Sequence, residues 1–233
     1  MSATPDTQAT EVPAPVYVFE VPVRIWHWIT APTILILALT GFLIAHPAWP
    51  LIWGEPSHVY LMGDLRVIHF TAAYILAVGF IGRIYWAIVG NEYAREIFLP
   101  KFWRLDWWKN LFHATSWYLL IKPRSLRKPG HNPLAQITMF FMFVLGVAFQ
   151  ITTGFAMYGE GAGGWSHAVF TSWVIPLFGG SMEVHTWHHL GMWYLMLFVM
   201  MHIYLAIRED IMSRQTTIST MINGWRYFKD NGK

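Results

Sequence analysis

The chain has 233 residues, of which 55% are hydrophobic and only 12% charged, and it carries 14 tryptophans with a net charge of +3. Soluble domains run at about 25% charged residues, so this composition excludes an ordinary soluble core and indicates residence in a membrane. The absence of cysteine excludes disulfides, thiolate metal sites, iron–sulfur clusters and C-x-x-C-H haem attachment.

Residues 1–16 ("MSATPDTQATEVPAPV") are polar and Pro/Thr/Ala-rich, with no basic stretch leading into an apolar one. They read as a flexible tail, not as a cleavable signal. Four apolar segments follow, at about 25–45, 66–89, 134–157 and 185–207. Each is close to the ~20 residues that a helix needs to cross a bilayer. Their internal glycines and prolines are tolerated because neighbouring helices satisfy the freed backbone groups. The expected fold is therefore an all-α integral membrane protein, a four-transmembrane-helix bundle forming one domain over residues 17–233. No internal repeat is evident.

Lysine and arginine set the orientation. The 90–133 segment holds Arg95, Lys101, Arg104, Lys109, Lys122, Arg124, Arg127 and Lys128, and the tail holds Arg208, Arg214, Arg226, Lys229 and Lys233. Residues 46–65 and 158–184 contain neither type but carry Glu55, Asp64, Glu160 and Glu183. Both termini and the 90–133 loop are expected in the cytoplasm, with the other two loops outside. The basic balance thus reads as membrane topology and not as nucleic-acid binding.

Eleven histidines is a high count, and the spans give several of them a depth. His27 falls at the cytoplasmic end of the first helix and His69 near the outer end of the second. On the fourth helix, His188 lies near the outer end and His202 toward the cytoplasm. Fourteen residues separate these two, a rise of about 21 Å, and leave them only about 40° apart around the axis. They share one face at opposite depths. A b-type haem takes two axial imidazoles, and bundles build such sites from facing helices. Pairing by depth gives His69 with His188 and His27 with His202, two stacked sites forming a path for electrons. His185, His188 and His189 have the i, i+3, i+4 spacing of a zinc site, an alternative that leaves His69 and His202 unexplained. His185 or His189 also remains open as a replacement for His188. His46, His58, His113, His131 and His167 read as interfacial or hydrogen-bonded side chains.

"RIWHW" (Arg24 to Trp28) and "HTWHHLGMWYLMLFVMMHIYLAIRED" (His185 to Asp210) strongly resemble the b-type cytochrome subunit of membrane-bound nickel–iron hydrogenases. The resemblance runs from Val16 to the C-terminus. It implies two non-covalent haems b, held by His27 and His202 on the cytoplasmic side and by His69 and His188 on the outer side. It also implies a bacterial inner-membrane location and a periplasm-facing partner. That partner would be an iron–sulfur small subunit with a membrane anchor helix and, through it, a large nickel–iron subunit. Electrons from dihydrogen would reach a quinone through the two haems, and the nickel–iron site would lie outside this chain. The membrane cytochrome b of a formate dehydrogenase, or of a related quinone-linked oxidoreductase, is the nearest alternative.

Haem propionates need cationic partners in a low dielectric. Arg66, three residues before His69, is placed for the outer haem, and Arg24, three before His27, for the inner haem or for snorkelling to the headgroups. Arg83 reads as snorkelling or as a deeper propionate partner, and Arg208 as an anchor of the helix end. Trp26, Trp28, Trp49, Trp53, Trp103, Trp107, Trp108 and Trp117 fit interfacial belts, while Trp187 and Trp193 are candidates to flank the outer haem. Met192, Met200 and Met201 read as packing. Gly79, Gly82, Gly146 and Gly191 read as sites of close helix approach or room for a porphyrin.

Overall fold

A computed structural model describes residues 14–47, 60–126 and 128–228. His58, Trp49, Trp53, Glu55, Arg127, Lys229, Lys233 and residues 1–13 of the expected tail lie outside the described residues. Val16, the last residue of that tail, already belongs to a short strand, β1 (Val16–Tyr17).

Four helices are long and apolar enough to span a bilayer. These are α1 (Val21–Ala45), α2 (Leu61–Val89), a third span over Pro133–Ala162, and α9 (Ser181–Met212). Each expected segment lies inside one of them, and each helix extends past its expected segment at one end or both. Pro32 sits inside α1 without ending it. The Thr33 hydroxyl one residue on donates to the Ile29 carbonyl at 2.7 Å. The third span is composite: α5 (Pro133–Thr138), a π-helical turn (Met139–Val144) and α6 (Leu145–Ala162). Such π insertions rotate the following side chains out of α-helical phase and often mark functional regions.

α1 packs along α2 and α6 along α9, and α1–α9 and α2–α6 contacts join the two pairs. Between them lies a core of Ile34, Leu76, Phe80, Phe143, Val147, Leu195 and Phe198. The outward faces stay apolar and exposed, with Leu39, Val78, Ile81, Ile88 and Ile203 among them, as lipid contact requires.

The loops are more structured than charge alone indicated. The 90–133 segment contains α3 (Glu92–Arg95) and α4 (Leu105–Tyr118), and residues 163–180 contain α7 (Gly164–Ser166), a second π turn (His167–Thr171) and α8 (Ser172–Phe178). After α9, α10 (Thr217–Asn223) leads to β2 (Trp225–Arg226), which pairs antiparallel with β1, Val16 opposite Arg226. The segments flanking both termini therefore meet at one end of the bundle. The 90–133 segment joins them there: Asn91 donates from Nδ2 to the Val18 carbonyl and from its backbone N–H to Glu20. We call this the cap end, and nearly all the described basic residues gather at it. Tyr118 ties α4 to α9 by donating to Glu209 at 2.8 Å. Burial, reinforced by the Glu209 charge, raises the Tyr118 phenol above its ordinary range, so it remains a donor. Arg208 stacks over Trp117 and Tyr118 at 4.8 and 5.0 Å, anchoring the end of α9.

Candidate functional site: two histidine pairs

Because α9 is one unbroken helix, the rise from His188 to His202 is rigid, about 21 Å. Each histidine faces a partner on another helix. At the cap end, the His27 and His202 ring centroids lie 6.3 Å apart. That gap admits one metal atom between two imidazoles whose nitrogens each sit about 2 Å from it. His202 stacks on Phe198 at 5.6 Å, Phe198 meets Phe143 at a tilt at 5.5 Å, and Phe143 meets Trp26 edge-on at 5.7 Å. Phe143 belongs to the π turn, so that irregularity supplies the aromatic wedge behind the histidine pair.

At the far end, His69 and His188 line a single cavity of about 580 Å³, a size typical of ligand sites. Ile34, Leu37, Leu76, Ile151, Phe155 and Met192 make its walls apolar, and Arg66 stands at its edge. Two features hold the histidines that sequence reasoning missed. The Thr40 hydroxyl lies 2.8 Å from His69 Nδ1, and the Thr153 hydroxyl 2.8 Å from His188 Nδ1. The following residue is glycine in both cases. A Cβ on Gly41 would stand 3.2 Å from His69 Cε1, and one on Gly154 3.2 Å from His188 Cε1. The signal was present as Thr-Gly-Phe at 40–42 and again at 153–155, a short repeat that the whole-chain view passed over.

The remaining histidines of the 185–189 cluster also line this cavity, but they carry other contacts. His185 is exposed and its Nδ1 pairs with the Ser181 carbonyl at 2.8 Å. His189 Nε2 accepts from Trp193 Nε1 at 3.2 Å, and its ring lies 5.4 Å from His46. Among the described residues, no group of three or more His, Cys, Asp or Glu is arranged to hold a metal ion.

Several expectations need correction. Arg83 does not snorkel: it is 3% exposed, donates to the Ala94 carbonyl and lies over Trp26 and Phe98 at 5.5 and 5.2 Å. Its Nε and Nη1 are buried without hydrogen-bond partners among the described residues. Arg24 keeps a buried Nε without such a partner, compatible with its expected role at the inner site, while its Nη1 donates to the Ile222 carbonyl and clamps α1 to α10. Trp107 and Trp117 are buried, not in a belt, because α4 folds them against the cap. Trp187 and Trp193 do not line the far cavity. Gly82 meets nothing within 4 Å, whereas Gly79 faces Trp26 and Gly146 faces Leu195.

Four spans with histidines paired between helices at two depths define a membrane cytochrome. The sequence profile of the prokaryotic cytochrome b561 family matches residues 18–224, and the chain belongs to that family. A probable Ni/Fe-hydrogenase B-type cytochrome subunit of Azotobacter vinelandii is 56% identical over 218 residues, covering 93% of this chain and 90% of that protein. The protein of that description from Cupriavidus necator is 54% identical, covering 92% and 88% respectively. The Escherichia coli K12 probable Ni/Fe-hydrogenase 1 B-type cytochrome subunit is 46% identical, covering 91% of each. As a b-type cytochrome the chain holds haem b, and the residues present fit it. Each threonine oxygen opposes an Nδ1, which would leave Nε2 free to hold iron, and the far cavity has apolar walls with Arg66 among its lining residues.

Proposed function

We propose that this chain is the membrane cytochrome subunit of a nickel–iron hydrogenase, holding two non-covalent haems b and delivering electrons to quinone. The observation that carries the reading is the arrangement of four histidines as two pairs about 21 Å apart along α9. The names of the relatives support a hydrogenase partner over a formate dehydrogenase.

His69 and His188 would ligate the outer haem, with Arg66 beside a propionate. His27 and His202 would ligate the inner one, with the unengaged Nε of Arg24 and the unpaired nitrogens of Arg83 as its cationic partners. Bound haem supplies one-electron redox chemistry at each level. The chain's own residues orient the imidazoles, exclude water with apolar walls and fix the spacing through one rigid helix. The gathering of basic residues at the cap end supports a cytoplasmic cap, with both termini inside. The far end then faces the periplasm and the partner's iron–sulfur subunit. Quinone would bind near His27, His202 and the start of the 90–133 segment, and protons drawn there from the cytoplasm would make turnover electrogenic.

The test is haem stoichiometry in the intact membrane complex with dihydrogen as reductant. Two haems per chain, both reduced by dihydrogen and reoxidised by quinone, are expected. A single haem, or a chain that hydrogenase cannot reduce, overturns the reading.

A further inference from the structure

We propose that Thr40 and Thr153 are positioning residues that lower the potential of the outer haem site and so make the inward electron step downhill. This rests on the two-haem reading above.

A threonine hydroxyl has one proton to give. Thr40 gives it to the Ile36 carbonyl at 2.7 Å, and Thr153 gives it to the Phe149 carbonyl at 2.8 Å. Toward the histidine each oxygen is therefore an acceptor, and the imidazole nitrogen 2.8 Å away must carry the hydrogen. That fixes the tautomer of both outer ligands: protonated at Nδ1, with the lone pair at Nε2. A ligating imidazole that donates a hydrogen bond from its other nitrogen is a stronger electron donor. Stronger donation favours the oxidised iron and lowers the potential.

Among the described residues, no threonine hydroxyl is bonded to His27 or His202. His27 Nδ1 is buried with no hydrogen-bond partner among the described residues. The asymmetry is built twice, on different helices: α1 presents Thr40-Gly41 to His69, and α6 presents Thr153-Gly154 to His188. In each, the glycine lets the ring come close enough for the hydroxyl to reach it. With haem held at both pairs, an inward step would pass one electron from the outer site, oxidised, to the inner site, reduced, with no bond made or broken and no proton moved. The threonines bias that exchange toward the quinone side.

The experiment is a spectroscopic redox titration of the full complex carrying Thr40→Val, Thr153→Val or both. Valine keeps the shape and removes the acceptor. Each single variant is expected to shift the outer midpoint positive with the inner midpoint unmoved, and the double variant to shift it further. Thr→Ser at either position is expected to restore the native value. A tenfold loss of inward bias reads as about 59 mV for a one-electron couple. Unmoved midpoints with haem bound, a negative shift, or a shift confined to the inner haem overturns the proposal. If valine empties the outer site, the wild-type order decides it: the haem surviving in His202→Leu must have the lower of the two native midpoints, and the reverse order overturns the proposal. A wild-type chain with one haem would instead sink the two-haem reading. The threonine assignment would then stand or fall on whether that haem's midpoint moves.

Discussion

Replacing Gly154 by alanine separates helix stability from haem binding, because the two should move in opposite directions. Gly154 lies inside α6, where alanine is favoured over glycine by about 1 kcal/mol. The added Cβ would stand 3.2 Å from His188 Cε1, whereas carbon atoms prefer about 3.5–4.0 Å. The ring must retreat by roughly 0.3–0.8 Å to restore that contact distance. A retreat of that size takes the 2.8 Å contact between Thr153 and His188 toward or past the limit of a hydrogen bond. Losing one such bond costs about 0.5–1.5 kcal/mol, roughly a two- to twelvefold loss of outer-haem affinity. The assay is haem titration of apo-protein in detergent, followed by absorption, beside thermal unfolding of the same apo-protein. The expected result is apo-protein at least as stable as wild type with one of two haems bound more weakly. Gly82→Ala is the control, since nothing lies within 4 Å of its Cβ. Unchanged affinity for both haems in Gly154→Ala would refute the reasoning.

His27→Leu and His202→Leu should each remove the same haem, with no further loss in the double variant, as read by haem content. Loss of different haems would break the pairing. Trp107→Phe leaves Gln136 Oε1, now bonded at 2.9 Å, a buried acceptor without its donor. It should cost about 1–3 kcal/mol in thermal or denaturant unfolding, and a change within about 0.5 kcal/mol, ordinary for a surface site, would contradict the buried Trp107–Gln136 bond. Tyr118→Phe removes the 2.8 Å donor to Glu209. It should cost about 1.5–3 kcal/mol, as a hydrogen bond to a charged group does, and increase hydrogen exchange at the junction of α4 and α9.

The four spans and the depth of every paired histidine were legible in the sequence. Membrane thickness sets helix length, and helical rise along an unbroken α9 is rigid. The 14-residue interval from His188 to His202 therefore reports a distance before any fold is known. Lateral relations across helices carry no such periodic signal. Only the tertiary structure brought Thr40 to His69 and Thr153 to His188, and paired His185 with the Ser181 carbonyl and His189 with Trp193. Only it turned Arg83 inward under Trp26 and Phe98. Trp107 and Trp117 read as interfacial because tryptophan favours that zone, yet α4 folds back and buries them. The sequence by itself determined what spans and at what level each imidazole lies, because both follow from one helix at a time. Which side chains orient those imidazoles was decided by packing between helices, where a hydroxyl and a missing Cβ on one helix act on a ring carried by another.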